Sequence, residues 1–177
     1  MLVASPPEEA APQLDQPTVA HPPGLEHERL TWQAYDQAAR ELAETIRVSG
    51  FAPDILLGIA RGGMFLAASL SYLLPNKSLY LINVEYYEGV GLRGQAPVIL
   101  PPEPNLADVS GKRLLLVDDV ADTGHTLKAV HDLCAEEVAE VRTVTLYVKP
   151  HTVVRPDWWW RSTERWIDFP WSSPPPQ

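Results

Sequence analysis

The segment that most constrains this chain is Leu114-Leu115-Leu116-Val117-Asp118-Asp119-Val120-Ala121-Asp122-Thr123-Gly124-His125-Thr126. A near-continuous apolar run suits a strand buried on both faces of a parallel sheet, and this one ends at two adjacent acids. A glycine turn follows and opens a stretch, Thr126 to Val138, that reads as a helix. The turn therefore falls at the carboxyl end of a strand, where open α/β sheets bind their ligands. Free N–H groups at the helix start, with the Thr123 and Thr126 hydroxyls beside them, suit a phosphate. The nearby carboxylates Asp118, Asp119 and Asp122 would repel that phosphate unless they engage hydroxyls or a divalent cation. A phosphorylated sugar with magnesium satisfies both demands.

The rest of the chain supplies a sheet to hold that turn. From Thr31, residues Trp32, Tyr35, Ala39, Leu42 and Ile46 recur at intervals of three and four, which predicts one apolar helix face capped by Thr31 and ended at Gly50. Asp54 to Ala60 reads as a strand, Arg61-Gly62-Gly63 as a turn and Met64 to Leu74 as a helix. Leu79 to Tyr86, Arg113 to Val117 and Val141 to Val148 read as further strands. Apolar runs alternating with helices argue for an α/β fold, a mostly parallel twisted sheet flanked by helices. Gly89-Val90-Gly91-Leu92-Arg93-Gly94 spells a dinucleotide fingerprint after a strand, but Pro97, Pro101, Pro102 and Pro104 stand where its helix is required. That stretch reads as a flexible loop.

Composition narrows the class. With 177 residues, 45% hydrophobic and 21% charged, the chain is sized and composed for one folded domain, expected at 28–171. Residues 1–27, rich in proline, and 172–177 read as disordered tails. A net charge of -9 argues against a nucleic-acid partner, since so acidic a surface repels a phosphate backbone. Cys134 is the single cysteine, which excludes an internal disulfide and a multi-cysteine zinc site and suits a reducing compartment. No apolar run approaches the roughly 20 residues that span a bilayer, so no membrane partner is expected. A soluble, cytoplasmic protein is the expectation.

The stretch from Leu114 to Thr126 resembles the signature of the type I phosphoribosyltransferases: an apolar strand, two acids, two small or apolar residues, then Asp-Thr-Gly-x-Thr. The resemblance implies that Asp118 and Asp119 hold the ribose hydroxyls of phosphoribosyl pyrophosphate, and that Thr123, Gly124, His125 and Thr126 surround its 5-phosphate. It implies Asp122 as the catalytic residue over the incoming base. Arg61, Gly62 and Gly63 occupy the family's pyrophosphate turn, which often contains a strained or cis peptide. The Gly- and Pro-rich loop takes the place of the family's catalytic hood, with Tyr86 and Tyr87 at its root. Val148-Lys149-Pro150 with Trp166-Ile167-Asp168-Phe169-Pro170-Trp171 is similar to the xanthine-guanine branch. There Lys149 would donate to the purine 6-oxygen, Trp166 would pack on the ring, and the Ile167 backbone would read the opposite edge. The implied metal is Mg2+, held by Asp118, Asp119 and Asp168, and the implied assembly is a homodimer or homotetramer.

The activity that follows from the resemblance is transfer of a 5-phosphoribosyl group to N9 of a 6-oxopurine, with release of pyrophosphate. A lysine ammonium, a donor only, favours a 6-oxo over a 6-amino purine. The rival expectations are a non-catalytic sensor of nucleotide or phosphoribosyl pyrophosphate on the same fold, and a phosphoribosyltransferase for another base. Intact Asp122, Arg61 and Lys149 weigh against the sensor. Trp158, Trp159 and Trp160 read as core or subunit packing.

Overall fold

A computed structural model of the protein describes residues 26–86, 97–100 and 109–172. Residues 1–25 of the expected N-terminal tail, Tyr87 with the glycine-rich stretch to Gly94, the loop prolines 101, 102 and 104, and residues 173–177 lie outside the described residues.

The elements run β1 (His27–Arg29), α1 (Trp32–Val48), β2 (Ile55–Ala60), α2 (Gly63–Leu73), β3 (Leu79–Tyr86), β4 (Pro97–Leu100), β5 (Arg113–Ala121), α3 (His125–Ala135), β6 (Glu140–Val148), β7 (Trp158–Ser162) and β8 (Trp166–Asp168). Six strands form one sheet in the order β4-β3-β2-β5-β6-β7, and β1 pairs with β8 in a separate parallel ribbon. Every pairing in the large sheet is parallel except β3 with β4. The expected α/β class is therefore observed.

Side chains alternate across β5 as strand geometry requires. Leu115 and Val117 enter a core with Leu42 and Ile46 of α1 and Leu66 and Leu70 of α2. Leu114 and Leu116 enter a second core with Leu127, Val130 and Cys134 of α3. Two covered faces explain why β5 is apolar from Leu114 to Val117, up to its acids.

Four details depart from the sequence reading. Trp32, expected on the buried face of α1, is 53% exposed, because the first turn overhangs the sheet and meets Phe65 and Trp171 instead. Pro97–Leu100, read as loop, forms β4; as an edge strand it tolerates a proline, whose missing N–H costs an interior ladder but not an outer edge. β5 runs four residues past Val117, so its acids lie within the strand and not after it. His27, assigned to the tail, is the first residue of β1. The Thr31 cap is as expected, its hydroxyl accepting from the Ala34 N–H at 3.2 Å.

Candidate active site

Asp118 and Asp119 sit where β5 has lost one neighbour. Its pairing with β2 ends at Gly58 opposite Val117, whereas its pairing with β6 continues to Ala121 opposite Val148. The turn after β2 fills the vacated side. A side chain on Gly63 would place Cβ 2.5 Å from the Val117 carbonyl oxygen and 2.9 Å from Asp118 Cα. On Gly62 it would lie 1.8 Å from Asp119 Oδ2. Both glycines are thus required by space, and they bring the predicted pyrophosphate turn against the predicted ribose acids. The Ala60–Arg61 peptide is cis, and the Arg61 side chain is exposed.

Proximity of two carboxylates in a dry site leaves them short of positive charge. Burial, reinforced by the charge of Asp119, pushes the Asp118 carboxyl well above its ordinary range. Burial also pushes Asp119 up to about 6, partly offset by the nearby Val120 and Asp119 N–H groups, the Asp118 carboxyl and the Trp171 indole. Asp118 Oδ1 accepts the Asp119 N–H at 2.9 Å. A hard cation or a pair of sugar hydroxyls would relieve this arrangement. The oxygen donor set therefore fits Mg2+.

The turn after β5 is built differently. Gly124 adopts φ 83°, a left-handed conformation, and its absent side chain makes room for Thr152 Oγ1, which would stand 2.3 Å from a Cβ. As the N-cap of α3 it brings no side-chain oxygen to the first-turn N–H groups. A helix start of this kind, with its dipole, suits an anion, as the sequence suggests. Thr123 and His125 are exposed at the turn, and Thr126 is partly buried behind them.

The connection after β6 is stapled to this turn by two backbone hydrogen bonds. The Lys149 N–H donates to the Ala121 carbonyl at 2.9 Å, and the Val153 N–H donates to the Thr123 carbonyl at 2.9 Å. Asp122 lies between the two staples on one strand of this pairing, and His151 lies between them on the other. Their side chains meet, His151 Nε2 standing 3.0 Å from Asp122 Oδ1. Sequence reasoning missed His151; its only signal was a titratable side chain two residues after the lysine singled out for the purine.

Lys149 is buried, and its ammonium donates to the Arg165 carbonyl. Trp166, partly buried, follows immediately on β8. Lys149 and Trp166, 17 positions apart in sequence, are therefore brought to one place beside the turn after β5. Ile167 is buried in the core and stands opposite Glu28 of β1.

Asp168, expected at the metal, faces His27 in this structure. Both its carboxylate oxygens lie 3.0 Å from His27 Nδ1 across the β1–β8 ribbon. Among the described residues no three His, Cys, Asp or Glu side chains are grouped to hold a metal ion. Asp168 pairs with Arg29 where β8 runs beside β1.

The C-terminal segment adds an aromatic platform that the sequence did not reveal. Trp171 stacks on Phe65 of α2 with ring centroids 4.5 Å apart and on Phe169 at 4.9 Å, and it meets the edge of Tyr35 at 5.5 Å. Its indole N–H reaches Asp119, so the platform buttresses a site carboxylate from outside the sheet. Trp158 and Trp160 pack on the core as expected, whereas Trp159 lies under the Arg155 guanidinium, 4.6 Å from its ring centroid.

The chain is similar in sequence and fold to known proteins. Residues 28–176 match the phosphoribosyl transferase domain. Similar sequences include a xanthine-guanine phosphoribosyltransferase of Ruegeria sp. (strain TM1040), 30% identical over 164 residues and covering 85% of this chain and 89% of the relative. Another is a xanthine-guanine phosphoribosyltransferase of Gluconobacter oxydans, 28% identical, covering 87% and 89%. Among solved structures, a purine phosphoribosyltransferase from Pyrococcus horikoshii Ot3 superposes with a TM-score of 0.75 at 38% identity, covering 86% of this chain and 98% of its own. A Helicobacter pylori xanthine-guanine-hypoxanthine phosphoribosyltransferase gives 0.72 at 25%, covering 82% and 94%. With its family signature spread over most of the described fold, the chain belongs to the phosphoribosyl transferase family, enzymes that carry out pentosyl transfer.

Proposed function

We propose that this enzyme moves the 5-phosphoribosyl group of phosphoribosyl pyrophosphate to N9 of a 6-oxopurine, guanine, xanthine or hypoxanthine, as a step of purine salvage. The observation that carries this reading is the Lys149 N–H to Ala121 carbonyl bond, which anchors the backbone of a buried lysine beside the residue preceding Asp122, while its ammonium donates to the Arg165 carbonyl next to Trp166. A donor-only group and a carboxylate carried on two stapled segments are complementary to a purine that offers a 6-oxygen and a ring proton. The purine-enzyme names of the relatives support the same class.

In the reaction the bond from the anomeric carbon to pyrophosphate breaks and the bond to N9 forms, through an oxocarbenium-like state. Asp122 takes the N7 proton, so that N9 attacks as the better nucleophile. Trp166 packs on the base, and the Ile167 backbone reads its far edge. The α3 N-terminus and Thr123 to Thr126 hold the 5-phosphate. Arg61 and the Gly62 and Gly63 amides stabilise the departing pyrophosphate. Mg2+ supplies positive charge to pyrophosphate and ribose oxygens when bound, and Asp118 and Asp119 are the side chains that would hold it.

We place the enzyme in the cytoplasm, where the Cys134 thiol, buried and pushed up to about 11 by that burial, stays reduced. We also infer a homodimer or homotetramer: Trp32, Phe65 and Tyr72 of α1 and α2 leave apolar surface that another copy would cover. The test is pyrophosphate release on mixing the protein with phosphoribosyl pyrophosphate, Mg2+ and each base in turn. Turnover with at least one 6-oxopurine and none with adenine is expected. Asp122→Asn should lower turnover by on the order of 100-fold or more at saturating substrates. Wild-type turnover in that variant would remove the base role, and inertness of every 6-oxopurine would remove the substrate class.

A further inference from the structure

We infer that His151 is a positioning residue for Asp122, holding the carboxylate in the orientation from which it takes the purine proton. The inference rests on the base role proposed above for Asp122. That carboxylate is on an exposed turn, with a side chain 56% accessible, and a carboxylate so placed is free to rotate away from a bound base. Among the described residues its side-chain hydrogen bond is to His151, at 3.0 Å. An ionised carboxylate only accepts, so the imidazole Nε2 carries the proton and donates it to Oδ1. Oδ2 is left to face the substrate.

The histidine is itself held in register. Its segment is anchored on both sides of Asp122 by the Lys149–Ala121 and Val153–Thr123 backbone bonds. The Thr152 N–H donates to the Lys149 carbonyl at 3.2 Å, and the Thr152 hydroxyl donates to the Val154 carbonyl at 3.0 Å, closing the turn on itself. Thr152 also occupies the space that Gly124 leaves. Such a bracket fixes the His151 backbone relative to the Asp122 backbone, and one hydrogen bond then fixes both side chains. The same segment begins at Lys149, so the group proposed to read the 6-oxygen and the group that aims the base move as one unit. An exposed hydrogen-bonded pair of this kind contributes little to stability, which makes it a clean target for kinetics.

The experiment is steady-state kinetics of the full-length protein with Mg2+, phosphoribosyl pyrophosphate and the best 6-oxopurine, for wild type, His151→Ala, His151→Gln, Asp122→Asn and the double variant His151→Ala/Asp122→Asn. Thermal unfolding of each variant is recorded alongside. His151→Ala should lower kcat about tenfold, a fraction of the 100-fold or more expected of the base itself, at an unchanged KM for phosphoribosyl pyrophosphate. His151→Gln, whose amide N–H reaches a similar place, should recover most of the loss. On the Asp122→Asn background the His151→Ala change should cost less than twofold. An equal loss on both backgrounds, or full turnover of His151→Ala where Asp122→Asn is impaired, would overturn the positioning role alone. Full turnover of Asp122→Asn would overturn the base reading and this inference with it.

Discussion

Two turns at the carboxyl ends of neighbouring parallel strands meet in this site, and both depend on glycine, for opposite reasons. The turn after β2 uses Gly62 and Gly63 for their lack of volume: Gly62 keeps an ordinary helical φ of -61°, and both glycines press against the acids of β5. The turn after β5 uses Gly124 for its left-handed backbone as well as its size. The first turn creates a dry, crowded carboxylate pair. The second starts a helix with no side-chain cap. Placing the proposed leaving-group site and the proposed phosphate site on separate turns, each against the same strand β5, would let one rigid element set the distance between them.

Substitutions can break or sharpen that contrast. Gly124→Ala combines left-handed strain with a clash and should cost about 3 kcal/mol in denaturant unfolding. Gly63→Ala should cost about 2 kcal/mol, because its new Cβ meets backbone atoms that cannot swing aside. Gly62→Ala meets only the Asp119 side chain, so stability should fall by less than about 1 kcal/mol while turnover falls at least tenfold through the displaced carboxylate. If Gly62→Ala unfolded the protein as readily as Gly63→Ala, the distinction between backbone and side-chain crowding would be lost.

Two smaller effects concern charge. The folded Asp119 carboxyl, at about 6, titrates above its unfolded counterpart, so the ligand-free protein should lose stability as pH rises from about 4 through about 6. Thermal unfolding scanned across that window checks it, and a melting temperature that rose instead would contradict a dry acid pair. The opposite sign belongs to Asp54, whose contacts with the Arg113 guanidinium and N–H lower it to about 2. Its contribution is present above about 4 and is lost as pH falls through about 2. Both partners are more than a third exposed, and Asp54→Asn should cost at most about 1 kcal/mol near neutral pH.

Much of the fold was readable because burial on two faces leaves a plain mark. Leu114 to Val117 of β5 form an unbroken apolar run, β6 is rich in β-branched residues, and α1 repeats every three or four residues. β4 was not readable, since a four-residue edge strand holding a proline looks like the loop around it. Asp118, Asp119 and the turn to Thr126 were readable because they are contiguous. The pairing of Asp168 with His27 was not readable, because it depends on β8 lying beside β1. His151 and Trp171 were not assigned roles, because neither chemistry nor spacing connects them to Asp122 or Asp119 along the chain.

By itself the sequence determined the local order of strand, acids, glycine turn and helix, because backbone conformation and two-sided burial are written into adjacent residues. Tertiary structure alone decided which distant groups touch: the Gly62 and Gly63 turn against the β5 acids, His151 against Asp122, and Trp171 against Asp119. Those contacts depend on where a sheet register stops and where a connecting segment is stapled, and neither is a property of any short stretch of chain.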